Sequence, residues 1–318
     1  MALTLKQLGY FVALAEEGSF GRAAQRVRIS QPALSVQVRE LEGALGVRLV
    51  ERLPREVRLT RAGRDTLLRA RAILSQVSDL EQATRRQHGL SGHLTLGIIP
   101  TAAPYILPPL LTRLRAHDVT LDIRVREAQT ASLIEALGQG RLDAAVVALP
   151  VPERNIAAIP LFEDRFVLAG SSARIEALSE AAAQLRPSHL APDQILLLDE
   201  GHCLADQALE VCHLARRGRM DLGASSLATL CGLVAEGLGL TLLPETALPT
   251  ETAAAPGLAV RRFSPPEPAR TLALVHRAGA GTAWVDDLAA MLSDAGRAVL
   301  DEARHLAPPP LDNAPPTG

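Results

Sequence analysis

The chain has 318 residues, 47% of them apolar, and a formal net charge of −2. That length suits two or three domains with real cores, and three cysteines are too few to be the disulfide framework of a small secreted protein. The charge is unevenly placed: residues 1–90 carry 15 Lys+Arg against 9 Asp+Glu, a net of +6, and residues 91–318 carry 18 against 26, a net of −8, which sum to −2. A basic N-terminal module on an acidic body predicts a polyanion partner for the first part alone.

Taken in order, residues 3–60 predict a small helical module. Leu5, Leu8, Phe11, Val12 and Leu14 give a first amphipathic helix. Gly18-Ser19 breaks it, with Ser19 as the expected N-cap of a short second helix, Phe20 to Arg26. A tight turn follows at Val27 to Ile29. Ser30 caps a third helix, Gln31 to Leu45, with Pro32 in the first turn, where a missing N–H costs little. Leu34, Val38, Leu41 and Leu45 share its apolar face, which leaves Gln31, Ser35, Val36 and Arg39 free for a ligand. This is the helix-turn-helix layout. The alternation from Glu51 to Thr60 around Pro54 predicts a β-ribbon wing, with Arg52, Arg55 and Arg58 placed for phosphates.

Residues 62–88 predict a long helix with Leu67, Ala70, Leu74 and Val77 at 3/4 spacing. That stripe needs a partner, either a second copy of the chain or the chain's own N-terminal module. Gln87 to Gly92 is the expected hinge. From His93 the pattern changes to strands (Leu94–Ile99, Leu121–Glu127, Ala144–Leu149) and intervening helices (Tyr105–Arg115, Thr130–Leu137), which predicts parallel pairing. Further strands are expected at Arg165–Ala169, Ile195–Leu198, Leu240–Leu243, Leu258–Arg262 and Thr271–Val275. Two sheets of this kind make two α/β lobes, with ligands held beyond the C-terminal strand ends. Thr101 and Thr130 follow the first two strands, as N-caps or as ligand-facing hydroxyls. The window Ser225–Leu243 contains Glu236 and three glycines and predicts helix, turn and strand rather than a membrane span. With no leader pattern at the N-terminus, a soluble cytoplasmic protein is expected. The tail from Leu306 holds five prolines without periodicity and is expected to be disordered.

The stretch Leu196 to Cys212, LLLDEGHCLADQALEVC, holds two of the three cysteines. A turn signal at Asp199-Glu200-Gly201 precedes His202, Cys203 and a helical pattern that carries Cys212. At the N-terminus of a helix and beside a histidine, a cysteine favours its thiolate form. Nine residues of helix would separate the two Cα atoms by about 13 Å, whereas a disulfide needs roughly 4.4–6.8 Å. Either the cysteines are two unrelated buried residues, or bonding them requires the helix to unwind.

The segments SQPALSVQVRELEGALGVRLVER and LTRAG resemble the winged helix-turn-helix of LysR-type transcriptional regulators. The order of DNA module, linker helix and effector domain is similar over residues 1–300, with Val50 standing where many members carry Phe. GIIPTAAPYILP, REAQT, LLLDEGHCLADQALEVC, LTLLP and EPARTLALV are similar to segments of the family's hydrogen peroxide sensors. The resemblance implies an α/β fold with an N-terminal winged helix-turn-helix and a two-lobed, periplasmic-binding-protein-like effector domain of two Rossmann-like subdomains. The implied divisions are a DNA-binding domain at 1–60, a linker helix and hinge at 61–91, an effector domain at 92–304 and a tail at 305–318. Within the effector domain, one lobe is about 92–164 plus 270–304 and the other about 165–269.

The resemblance further implies that Cys203 reacts with peroxide and Cys212 resolves it into a disulfide. Thr101, Thr130, His202, Asp206 and Arg270 match peroxide-pocket positions. Gln31, Pro32, Ser35 and Arg39 would enter the major groove, with Arg52, Arg55 and Arg58 on the backbone. The implied partners are promoter DNA, hydrogen peroxide, RNA polymerase, a thioredoxin- or glutaredoxin-type reductant, and copies of the same chain in a homodimer or homotetramer. No membrane, cofactor, resident metal or enzymatic turnover is implied. Two departures stand out: Ala205 replaces a basic residue two positions after the reactive cysteine, and Cys231 replaces an arginine. The competing readings are a LysR-type regulator of a small-molecule effector, a thiol peroxidase, and a metal site of His202, Cys203, Cys212, His213 and Cys231.

Overall fold

The computed structural model describes residues 3–52, 57–85, 90, 92–151, 155–181, 184–199, 204, 207, 224–278 and 283–307. The chain divides into two compact units, residues 1–87 with 135–141, and residues 88–134 with 142–318.

The first unit carries α1 (Leu5–Glu17), α2 (Phe20–Arg26), α3 (Gln31–Leu45), the ribbon strands β1 (Val50–Arg52) and β2 (Val57–Leu59), and α4 (Arg61–Arg85). Local chemistry sets these boundaries. Thr4 and Gln7 form a reciprocal capping box at the start of α1, and Gly18 ends it in the left-handed region at φ 59°. Ser30 Oγ accepts from the Ala33 N–H at 3.3 Å, and Gly46, at φ 70°, closes α3. Ser19 occupies the N-cap of α2, but its side chain makes no cap bond. Phe11, Leu14, Leu34, Val38, Leu41 and Leu49 form the centre of the unit's core.

Residues of the family-like segments bind the wing to the helices. Glu42 Oε1 accepts from the N–H groups of Leu49 (2.7 Å) and Val50 (3.2 Å). Thr60 Oγ1 donates to the Arg48 carbonyl at 2.8 Å and accepts from the Gly63 N–H at 2.9 Å. A Cβ on Gly63 would lie 2.0 Å from the Leu49 carbonyl oxygen, so only glycine lets α4 approach the wing this closely. Part of the α4 stripe packs at home: Ala70 is buried, and Leu67 and Leu74 pack on the same core. The large apolar residues of α4 left exposed are Leu68, Ile73 and Leu80.

From His93 onward the chain carries, in order, β3 (His93–Ile98), α5 (Ala103–His117), β4 (Asp122–Glu127), α6 (Thr130–Gly138), β5 (Ala144–Ala148), β6 (Ile156–Ser171), α7 (Ser172–Ala181), α8 (Leu227–Ala235), β7 (Leu240–Pro244), α9 (Leu248–Ala254), β8 (Leu258–Arg262), β9 (Ala269–Arg277) and α10 (Ala283–Leu306), all in the second unit but for the end of α6. The strand order is β4-β3-β5-β9-β6-β7, with β8 also on β6. Among these strands β4–β3 and β3–β5 pair parallel; β9 enters between β5 and β6 antiparallel to both. The sheet is therefore mixed rather than parallel throughout. The returning strand β9 reads as a continuous apolar run because it is central, with Leu272 to Val275 all buried.

Strand β6 joins two halves of the sheet. Residues Ile156 to Arg165 pair with β9, and Phe166 to Ser171 pair with β7 and β8. The segment Ile195–Leu198, expected as a strand, makes one isolated bridge, Ile195 to Leu240. Helix α10 runs past the expected start of the tail at 305; Ala307 is buried and its carbonyl accepts from Arg262 Nε at 2.5 Å.

Gly63→Ala is expected to force α4 away from the wing and destabilise the first unit by about 1–3 kcal/mol, the usual cost of overpacking. Calorimetry should show that unit's transition lowered and the second unit's unchanged; an unaltered first transition would mean the close approach carries no energetic weight.

Candidate functional site

Strands β3 and β4 lie parallel and in register, Ile98 opposite Glu127, so the loop with Thr101 and the N-terminus of α6 at Thr130 leave the same edge of the sheet. In open α/β sheets this edge is where ligands bind. Strand β5 ends there too, beside β3. Gln207 Nε2 donates to the carbonyl of Leu149, just beyond β5, at 3.4 Å.

Thr101 is buried and fixed by Arg270. Arg270 Nη1 donates to Thr101 Oγ1 at 2.8 Å, and Nη2 donates to the Thr101 carbonyl at 3.1 Å. Arginine has no acceptor, so the Thr101 oxygen must accept and its own O–H is left to donate elsewhere. Among the described residues no acceptor takes it. Thr130 Oγ1 is also buried and has no hydrogen-bond partner among the described residues. A buried polar atom without a protein partner points to water or a small polar ligand.

Arg270 is itself paired. Asp164 Oδ2 accepts from Arg270 Nε (3.0 Å) and Nη2 (2.8 Å), and both side chains are 0% exposed. Asp164 also accepts from the backbone N–H (2.9 Å) and hydroxyl (2.9 Å) of Thr246. Asp164 and Thr246 are absent from the sequence-predicted site. What singles out Asp164 is its register, facing Arg270 directly across the β6–β9 pairing.

Of the remaining expected residues, His202, Cys203, Asp206 and Cys212 lie outside the described residues, as do Ala205 and Arg55. Their described neighbours Leu204 and Gln207 are helical, and Leu204 is buried. Cys231 lies on α8 with no exposed surface. Burial, reinforced by the Glu251 carboxylate, pushes its thiol up to about 12. Glu251 also accepts from the Tyr105 hydroxyl at 2.7 Å; burial and that bond raise the phenol above its ordinary range.

In the first unit, Gln31 and Pro32 are exposed at the N-terminal end of α3, Ser35 is half-buried, and Arg39 is exposed with Nε on the Ser35 carbonyl at 3.3 Å. Arg58 is exposed on β2, and Arg52 lies on β1. Among the described residues, no helix is long and apolar enough to cross a membrane.

Residues 5–64 match the bacterial regulatory helix-turn-helix protein model of the LysR family, and residues 87–297 match the LysR substrate binding domain. A probable hydrogen peroxide-inducible genes activator from Streptomyces viridosporus is 42% identical over 303 residues, covering 92% of this chain and 95% of that protein. A full-length OxyR carrying a cysteine-to-aspartate substitution, from Pseudomonas aeruginosa, superposes with a TM-score of 0.73 at 34% identity, covering 93% of this chain and 95% of that one. An H2O2-bound cysteine-to-serine mutant of Corynebacterium glutamicum OxyR does so with a TM-score of 0.66 at 34% identity, covering 99% of each. With the helix-turn-helix and the mixed α/β domain both matched along nearly their whole length, the chain belongs to the LysR family of bacterial transcriptional regulators.

Proposed function

We propose that the chain is a peroxide-responsive transcription regulator of oxidative-stress genes, switched by its cysteines rather than by a resident cofactor. The observation that carries this reading is the pair of buried threonine hydroxyls at one sheet edge, one held by Arg270 and one without a partner among the described residues. Two such groups suit a ligand as small and polar as hydrogen peroxide. The names of the protein's relatives support the same substrate.

In this reading the Cys203 thiolate attacks one peroxide oxygen and the O–O bond breaks. Sulfur becomes a sulfenic acid, and the departing hydroxide takes the proton released by the thiol and leaves as water. Cys212 then displaces a second water, forming the disulfide. His202 and Asp206 support the reactive sulfur. A thioredoxin- or glutaredoxin-type dithiol returns both cysteines to thiols and is itself oxidised. The altered 203–212 segment changes how copies of the effector domain pair, and so the placement of the DNA modules and the contact with RNA polymerase. The exposed Leu68, Ile73 and Leu80 of α4 offer a surface for a second copy. Gln31, Pro32, Ser35 and Arg39 read base edges, while Arg52, Arg55 and Arg58 hold phosphates. The protein acts in the cytoplasm, on promoter DNA.

Cys203→Ser should abolish the peroxide response while leaving DNA binding intact. Mass spectrometry after a brief peroxide pulse should show a 203–212 crosslink in the parent protein and none in the variant; a normal response in Cys203→Ser refutes the assignment.

Arg58→Ala is expected to weaken binding on all sequences alike and to lower the salt slope of log K by about 1. Titrations on specific and scrambled duplexes at several salt concentrations measure this, and a loss confined to the specific site contradicts a phosphate role.

Cys231 should take no part. Its raised value keeps the folded thiol protonated at neutral pH, so Cys231→Ala should respond to peroxide normally, and iodoacetamide should label Cys231 only after unfolding. The sign for stability follows: Cys231's contribution is full below the unfolded thiol value near 8.5, and is lost as pH climbs toward about 12. Urea denaturation across that window should therefore fall more steeply for the parent protein than for Cys231→Ala.

A further inference from the structure

Thr101 and Arg270 have roles at the site, and one buried charge beside them has none. Asp164 has no exposed surface, yet it sits in the same hydrogen-bonded group. An arginine side chain is long and flexible, and its guanidinium can present any of its edges to a neighbour. Here the Nε and Nη2 edge is taken by a single carboxylate oxygen of Asp164, at 3.0 and 2.8 Å. With that edge occupied, Nη1 is turned to Thr101 Oγ1 at 2.8 Å.

The carboxylate is fixed in its turn. Thr246 donates to both Asp164 oxygens, one bond from its backbone and one from its hydroxyl. The turn that carries Thr246, Glu245–Ala247, is held by an ion pair of Glu245 with Arg262. Arg262 also pairs with Glu267 at 3.3 Å and bonds the Ala307 carbonyl at the end of α10. The orientation of Arg270 is therefore set from behind, by groups that line no part of the threonine pair.

We propose that Asp164 is a positioning residue for peroxide reduction: it orients Arg270 so that the Thr101 hydroxyl is compelled to donate its proton toward bound peroxide. The donated hydrogen bond stabilises the departing hydroxide as the O–O bond breaks, and the water-forming proton still comes from the Cys203 thiol. Among the described residues Asp164 bonds Arg270 and Thr246. It acts only through Arg270 and Thr101. The inference rests on the peroxide reading of the site given above.

The test compares two reactions of Cys203 in the full-length reduced protein. Oxidation by hydrogen peroxide needs a donor on the leaving oxygen; alkylation by iodoacetamide needs only the thiolate. Asp164→Asn keeps the side chain's size and removes its charge. It should slow oxidation by roughly 10–100-fold, the range expected when a positioned group is displaced, and leave alkylation unchanged. In an Arg270→Ala background the same substitution should change oxidation no further, since the two residues act as one unit. Should Asp164→Asn fail to fold, Thr246→Val removes one of the two bonds that fix the carboxylate, and is expected to show the same split in milder form. Unchanged oxidation, an equal fall in both rates, or additive losses in the double variant would overturn the proposal. If Cys203 of the parent protein does not react with peroxide at all, the peroxide reading itself fails. If it reacts normally in both parent and variant, only the role of Asp164 fails.

Discussion

The second unit is organised around one buried ion pair. Asp164 and Arg270 face each other across adjacent antiparallel strands with no exposed side-chain surface. Taking two charges out of water is costly, and only good geometry with every other donor and acceptor engaged offsets it. The geometry is good, and four of the five arginine N–H groups are engaged. Arg270 makes two bonds to Asp164 and two to Thr101, and Asp164 receives two more from Thr246. Such a pair adds little stability over an apolar one, but losing one member strands the other at a cost of roughly 3–5 kcal/mol. Its structural effect is therefore specificity. A one-residue slip of β9 along β6 would reverse every side chain and bury both charges against apolar neighbours.

The first unit has no such buried pair among its described residues and is fixed by partly exposed ones, Glu16 with Arg26 and Arg71 among them, and by side chain-to-backbone bonds. In the proposed reading, α3 presents the exposed Gln31 and Pro32 of its N-terminal end to a duplex. The fixing is done at the other end. Glu42, near the C-terminal end of α3, accepts two wing N–H groups, and Thr60 with Gly63 joins the wing to α4. The start of the wing is thus tied to the C-terminal end of α3. The charge split favours this division of labour, since the +6 of residues 1–90 attracts a polyanion that the −8 of residues 91–318 repels.

This contrast explains what was legible in the sequence. Helices α2 and α3 have the predicted bounds, because caps and a 3.6-residue stripe are written in neighbouring residues. The direction of the sheet was not legible, because it depends on β9 returning from over a hundred residues away to lie beside β5. The C-terminal helix α10 goes beyond the predicted elements, although its stripe of Trp284, Leu288, Leu292 and Ala295 is plain in the chain. At the site, Thr101 and Arg270 came from resemblance, and the structure brings them into contact. Asp164 stands next to Glu163 in the sequence, and nothing local says which of the two is buried. Only its register against Arg270 decides it.

The proposed cysteine switch lies on a segment whose two flanks are tied together. These are the flanks of the segment 200–223, the Asp199 N–H donating to the Ala224 carbonyl at 3.0 Å. The strand-like residues before it are anchored twice: the Leu196 N–H donates to the Leu240 carbonyl at 2.8 Å, and the Leu196 carbonyl accepts from Thr241 Oγ1 at 2.9 Å. Residues 203 and 212 both fall inside this closed stem. The entropy of a segment closed at its ends varies only slowly with its length. The buried pair of Asp164 and Arg270, the β6–β9 register and the α10 anchor all lie outside the stem. A rearrangement of residues 203–212 would disturb Leu204 in the core and the Gln207 bond to Leu149, and would leave those other bonds in place. The free energy of switching can be small against the free energy of folding, as a reversible sensor requires.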